Sequence, residues 1–294
     1  MAADQHTLLL DRGNLKRRNR FNKAVEIAAT IAAGIAVAVL LIVVGSVFLN
    51  GVDALSWHFL TTPTALFGES GGGISNAIVG SAIMVAVAAV IAIPIGILVA
   101  IFTTEFASPR IAHPIRFVLD ILNGVPTIIT AIFIYGLIVI PQGKQSGFAA
   151  SIALAIVMLP IVARTGQEVL SLVPGTLKEG AHALGIARWR STLRITIPTA
   201  AGGLITGSLL AVARVAGETA PMLFLSSIVS QGVQTDPSQP LASIPYFIFQ
   251  ASESPKPQAH TEAWAAAVVL IAFVLALNIF ARVFYARSRK RMGA

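Results

Sequence analysis

Residues 174–198, PGTLKEGAHALGIARWRSTLRITIP, run without a break into residues 199–224, TAAGGLITGSLLAVARVAGETAPMLF. The first half is polar and basic. The second is an apolar run of membrane-crossing length that carries one arginine, Arg214, and one glutamate, Glu218. A hydrocarbon interior penalises both charges, so a chain that keeps them there has a use for them. Outward from this stretch the whole sequence repeats the same division between apolar runs and short basic connections.

Of the 294 residues, 55% are hydrophobic and 12% charged, against about one quarter charged in ordinary globular chains. The mean hydropathy is +0.80, which marks an integral membrane protein. With no cysteine the chain has neither a disulfide framework nor a thiolate metal site. The net charge of +8 does not signal nucleic acid, because eighteen of the 21 Lys and Arg fall in four stretches: Arg12–Lys23, Arg110–Arg116, Arg164–Arg194 and Arg282–Arg291. Alternating with apolar runs, they read as the loops of the membrane face that carries positive charge.

Six apolar segments approach the roughly 20 residues needed to cross the hydrocarbon as a helix. They lie at about 24–49, 74–102, 115–140, 148–162, 199–228 and 263–285. The resulting fold class is an all-α integral membrane protein of six transmembrane helices, with a cytoplasmic basic tail at 1–23, a transmembrane domain at 24–287 and a cytoplasmic tail at 288–294. Six crossings place both termini on one side, and the basic tails make that side the cytoplasm. The opposite loops, 50–73, 141–147 and 229–262, hold only Lys144 and Lys256 against Asp53, Glu69, Asp236, Glu253 and Glu262. No small-residue cleavage site follows the first apolar run, so the N-terminus reads as a tail and not as a removable signal. Trp57 suits an interfacial position. Pro94, Pro126, Pro160 and Pro221 interrupt four of the runs and predict kinks. The glycines at 71–73 read as a turn into the second span, since no Lys-Ser/Thr follows them.

Within the opening stretch, Thr176 and Glu179 have the spacing of a capping box behind the helix-breaking pair Pro174–Gly175. That predicts a short helix from Leu177 to about Leu184, stopped by Gly185, and a second short helix around Trp189–Arg194 leading to Pro198. On physical grounds alone the segment reads as an interfacial amphipathic helix, with Arg188, Arg190 and Arg194 at the headgroups. In the apolar half, Arg214 and Glu218 are four apart, so on one helix they project about 40° apart and pair. Gly203, Gly207 and Ala211 share that face, a small-residue seam suited to close helix packing. The pair reads either as a structural ion bridge or as an anion-binding element on a path, for which the planar guanidinium fork suits an oxyanion.

Glu179, Gly180 and Ala181, then three residues to Gly185 and nine to Ile195 and Pro198, resemble the EAA loop of ABC importer permeases. Gly180 stands where that pattern has alanine, loosening the short helix by up to about 1 kcal/mol, and Ile197 stands where it has leucine. The segment ARVAGETAPMLF, together with GGGISNAIVGS at 71–81, RFVLDILNGVPTII at 116–129 and RTGQEVLSLVPGTLKEGAHALG at 164–185, is similar to the A-type permeases of phosphate-specific ABC importers, the Pst systems. The resemblance covers roughly residues 71–228.

That resemblance implies the type I ABC importer permease fold and a subunit of an ATP-driven phosphate importer in a prokaryotic cell membrane. It implies a coupling loop at about 165–198, in which Glu179, Gly180, Ala181 and Gly185 dock on an ATPase. Arg214, Glu218 and Thr219 would lie on the substrate path. The implied partners are a second permease, an ATP-binding subunit dimer, an extracytoplasmic phosphate-binding protein and membrane lipid; nucleic acid is not among them. The chain holds no Walker A sequence, HExxH, GxSxG or His cluster, so it is expected to bind no cofactor and perform no catalysis itself; ATP with Mg would be used by the partner ATPase. A permease for sulfate or molybdate and a non-transporting membrane scaffold remain alternatives. Hydrogen phosphate both accepts and donates hydrogen bonds whereas sulfate only accepts, so Glu218 would favour phosphate.

Overall fold

The computed structural model describes residues 15–65, 71–227 and 232–291. Residues 1–14 of the expected basic tail, Glu69, the end of the expected fifth span at Ile228 and residues 292–294 lie outside the described residues. Among those described the regular structure is entirely helical. Helix α1, Leu15–Gly51, starts inside the expected tail and runs through the first apolar segment. Residues up to Leu49 form one unit and the chain from Asn50 the other.

The second unit is built around α7, Gly147–Ser171. Helix α2 (Trp57–Thr61) precedes α3, Ser75–Ile101, and α3 lies along α7 as the most extensive helix pairing of the unit. The sequence reason is a run of mostly small residues at every fourth position of α3. Gly80, Met84, Ala88, Ala92, Gly96 and Ala100 are all buried on one stripe. Small residues at this spacing bring helix backbones together, which in a membrane replaces the missing hydrophobic drive. A methyl group added at Gly96 would sit 2.8 Å from Val162, and one at Gly166 would sit 2.8 Å from Ala100.

On its other side α7 receives α10, Ile197–Ala216. The seam expected from sequence is there. A Cβ at Gly203 would stand 2.5 Å from Val169, one at Gly207 would stand 2.7 Å from Thr165, and Ala211 is fully buried. Helix α13, Pro257–Arg291, packs on α10 and on the short α12, Ile244–Ser252. The segment before α12 closes the ends of two spans. Carbonyls of Pro237 and Gln239 accept from the first amides of α7, and Ser81 Oγ accepts from Ile244 N at 2.9 Å.

Two expected spans are not continuous helices. The third divides into α4, Pro109–Gly124, and α5, Thr127–Ile134, bent by 95°, with α6 (Ile140–Gln142) after it. Pro126 disfavours helical geometry at the residue before it, and Val125 is accordingly extended at φ −68°, ψ 127°. The fifth ends at Ala216; the chain restarts as α11, Ala220–Leu225, with Pro221 in the first turn, where its missing N–H leaves no acceptor unpaired. The fourth span, by contrast, extends beyond the expected Val162 to Ser171 through Pro160. Counting the bent pair as one crossing gives six.

Candidate functional site: a cavity between two broken helices, and a short loop helix

The two breaks meet. Helix α11 packs on α5, and the α4–α5 break, α7, the end of α10 and the turn after it line a cavity of about 280 Å³. Its polar groups come from Asn123 beside the α4 break, Thr127 and Thr130 on α5, Arg214 near the end of α10 and Glu218 in the following turn. Ile156, Val157 and Ile161 of α7 form its apolar floor. These floor residues lie midway along a 25-residue helix.

Arg214 and Glu218 therefore share a cavity, but they are not the helical ion pair expected from their spacing. Gly217 ends the helix in a tight turn in which Gly217 N and Glu218 N donate to the carbonyls of Arg214 and Val215. Glu218 leaves the helical register, and among the described residues neither side chain makes an ion pair or hydrogen bond. Arg214 is exposed and Glu218 half-buried. Thr219 is the N-terminal flanking residue of α11 and is not part of the cavity wall. Behind Glu218 the interior closes to a water-sized cavity of about 10 Å³ bordered by Ser81 and Ser243.

Three wall residues were not singled out in the sequence. Asn123, Thr127 and Thr130 are uncharged, and such residues are common in apolar helices. The signal was the NGVPT string at 123–127, in which Gly and Pro bracket a helix break. That break also frees backbone donors. No side chain caps α5, and its first amides, from Thr127 and Ile128, have no intrahelical acceptor. Thr130 is buried and aligned with this wall. An arginine fork, two hydroxyls, an amide and a helix N-terminus make a setting for an oxyanion, and a carboxylate beside them accepts a proton-bearing oxygen.

The loop after α7 forms a short helix, α8, Gly175–Ala183. The capping box is absent. The helix begins one residue before Thr176, at Gly175 behind Pro174, and no side chain caps it. The stop at Gly185 is as expected: its φ of +72° is the left-handed region that favours glycine. Ile186 N donates to Ala181 O and Gly185 N to His182 O, the paired bonds of a Schellman ending. The expected second short helix is not separate. Helix α9, Arg188–Ser191, continues through a π turn at Thr192–Thr196 into α10. Pro198 explains the π turn, since it has no N–H for the Arg194 carbonyl and the ladder shifts ahead of it.

Glu179 and Gly180 are exposed and Ala181 is buried. Around them Leu172 is 80% and Leu184 81% exposed, with Leu177 and Trp189 partly so. The inner side of α8 and of the segment after it is fastened. Lys178 Nζ lies 2.5 Å from Glu105 Oε1, and the Arg188 guanidinium stands 5.8 Å over the Phe106 ring.

Comparison with known proteins gives the family and the fold. Residues 92–294 match the family described as binding-protein-dependent transport system inner membrane component. The phosphate transport system permease protein PstA of Yersinia pestis is 40% identical over 241 residues, 82% of this chain and 81% of the relative. The protein of the same name from Xylella fastidiosa (strain Temecula1 / ATCC 700964) is 36% identical over 278 residues, 93% and 96% of the two chains. Among solved structures, a chain of a bacterial ABC transporter involved in the import of the acidic polysaccharide alginate aligns with a TM-score of 0.60 at 15% identity, covering 91% of this chain and 98% of that one. A chain of the MetNI methionine ABC transporter, inward facing, gives 0.58 at 17% identity, over 73% and 94%. The fold is that of type I ABC importer permeases.

Proposed function

Because this chain belongs to the binding-protein-dependent transport system inner membrane components, we propose that it is the multi-span permease subunit of an ATP-driven phosphate importer. The observation that carries the substrate is the cavity whose lining brings together Arg214, two hydroxyls, an amide and a helix N-terminus. The names of the relatives favour phosphate over sulfate or molybdate. In this reading Arg214 holds the anion by charge-assisted hydrogen bonds, Thr127 and Thr130 accommodate its other oxygens, and Glu218 accepts the phosphate O–H. Thr219 acts indirectly, by restarting the chain as α11 after the break.

The energy comes from a partner that binds ATP and Mg. Helix α8 is the handle that partner grips, with Glu179, Gly180 and the ring of exposed leucines outward, Ala181 inward and Gly185 fixing the helix end. A second permease completes the path opposite Arg214, which this chain leaves exposed, and an extracytoplasmic binding protein delivers phosphate to the other face. Both termini are cytoplasmic, because six crossings and basic tails require it. The chain works as a conduit and lever without chemistry of its own. In phosphate-starved cells lacking the chain, its return is expected to restore uptake of labelled phosphate and not of sulfate. Restored sulfate uptake in place of phosphate would move the assignment to another oxyanion, and assembly without uptake of either would make it a scaffold.

A further inference from the structure

A polar chain of contacts leads from the handle to the cavity wall by a route other than the α9–α10 backbone. It starts at Lys178 on α8, whose side chain is 26% exposed, paired with Glu105, 7% exposed. Glu105 lies in a π turn, Phe102–Phe106, at the cytoplasmic end of α3. In the same turn Thr103 Oγ1 accepts from Gln167 Nε2 at 2.8 Å, and Thr103 O accepts from Arg116 Nη2 at 3.5 Å. Gln167 Oε1 accepts from Arg164 at 3.3 Å, and Arg164 pairs with Asp120 on α4. Asp120 stands three residues before Asn123, where α4 ends at the break that forms the cavity wall.

We infer that Glu105 and Lys178 are positioning residues that lock the coupling helix to the end of α3, and that the Thr103–Gln167–Arg164–Asp120 contacts carry its displacement to the α4–α5 break. The inference rests on the proposed reading of α8 as the ATPase handle. The physical case is that Lys178–Glu105 and Arg164–Asp120 are the two side-chain ion pairs found among the described residues, and both lie on this route. A nearly buried carboxylate is held in place by its one cationic partner, since leaving it unpaired is costly. A π turn is a helix segment with a second hydrogen-bond register close by in geometry, which lets the end of α3 shift without unfolding. Packed polar contacts of this kind have discrete arrangements, as a two-state transmission needs.

The test uses the complete transporter in lipid vesicles, with phosphate accumulated and ATP hydrolysed measured together. Glu105→Lys is expected to assemble and to hydrolyse ATP, while the phosphate moved per ATP falls roughly tenfold, within the range of coupling between sites. The swapped pair Glu105→Lys with Lys178→Glu is expected to recover most of the ratio. A second arm, Gln167→Leu, breaks the route further along without altering charge and is expected to lower the same ratio. Unchanged ratios in Glu105→Lys and Gln167→Leu would overturn the inference, as would a loss that the swap leaves in place while Gln167→Leu behaves as the parent. If Glu105→Lys does not assemble, Gln167→Leu alone decides. Leu184→Asp keeps the underlying reading separate: if the ATPase still co-purifies and is still coupled with that exposed leucine charged, the handle itself has been misassigned.

Discussion

Glu218 faces the cavity half-buried with no partner among the described residues, so its carboxylate is free to serve a ligand instead of Arg214. Glu218→Gln keeps the shape and removes the acceptor for a phosphate O–H. It is expected to narrow the preference for phosphate over sulfate in uptake competition, with assembly normal. Equal selectivity in a normally assembled complex would remove Glu218 from the specificity role. Thr130→Val deletes one buried hydroxyl at constant volume. A hydrogen bond to a charged group contributes about 1.5–3 kcal/mol, so half-saturation by phosphate should shift upward by roughly tenfold to a hundredfold, read from uptake against concentration. The two charges were legible in the sequence because the apolar run makes them anomalous. Their separation was not, because it depends on how Gly217 and Pro221 together end one helix and start another. Thr130 carries no charge and gave no signal until the break between α4 and α5 placed it in the same cavity wall as Arg214.

The helices repeat one device, close packing over small residues. Gly207 sits against Thr165, and a side chain there has no room. Gly207→Val is expected to destabilise the α7–α10 contact by about 1–3 kcal/mol, seen as a lower melting temperature of the purified complex; an unchanged melting temperature would show that the seam adjusts freely. This seam was visible in the spacing of Gly203, Gly207 and Ala211, since helical periodicity survives whatever the helix packs on. The end of α8 was visible for a similar local reason, the glycine at a left-handed position. Its start was misread because Thr176 and Glu179 satisfy the capping spacing while the helix begins at Gly175, behind Pro174, two residues before the expected Leu177. The third span was expected to kink at Pro126, but the size of the turn, 95°, was not legible from Gly124 and Pro126 alone. Hydropathy measures length and apolarity and is blind to direction.

At the scale of the molecule, the polar handle and the apolar gate of the opening stretch remain joined by one helical run, Arg188–Ala216. The route through Glu105, Gln167 and Asp120 adds a second connection, reaching the opposite wall of the same cavity. A rigid displacement of α8 would then act on both broken helices, which suits alternating access better than a pull on one side. On the proposed reading, phosphate passes Arg214. The most direct test is phosphate accumulation by the reconstituted complex carrying Arg214→Gln, beside its ATP hydrolysis. Charge-assisted hydrogen bonds contribute about 1.5–3 kcal/mol, so the account predicts a normally assembled complex that hydrolyses ATP while phosphate flux falls by roughly tenfold to a hundredfold. Undiminished flux, or loss of the complex itself, would contradict it.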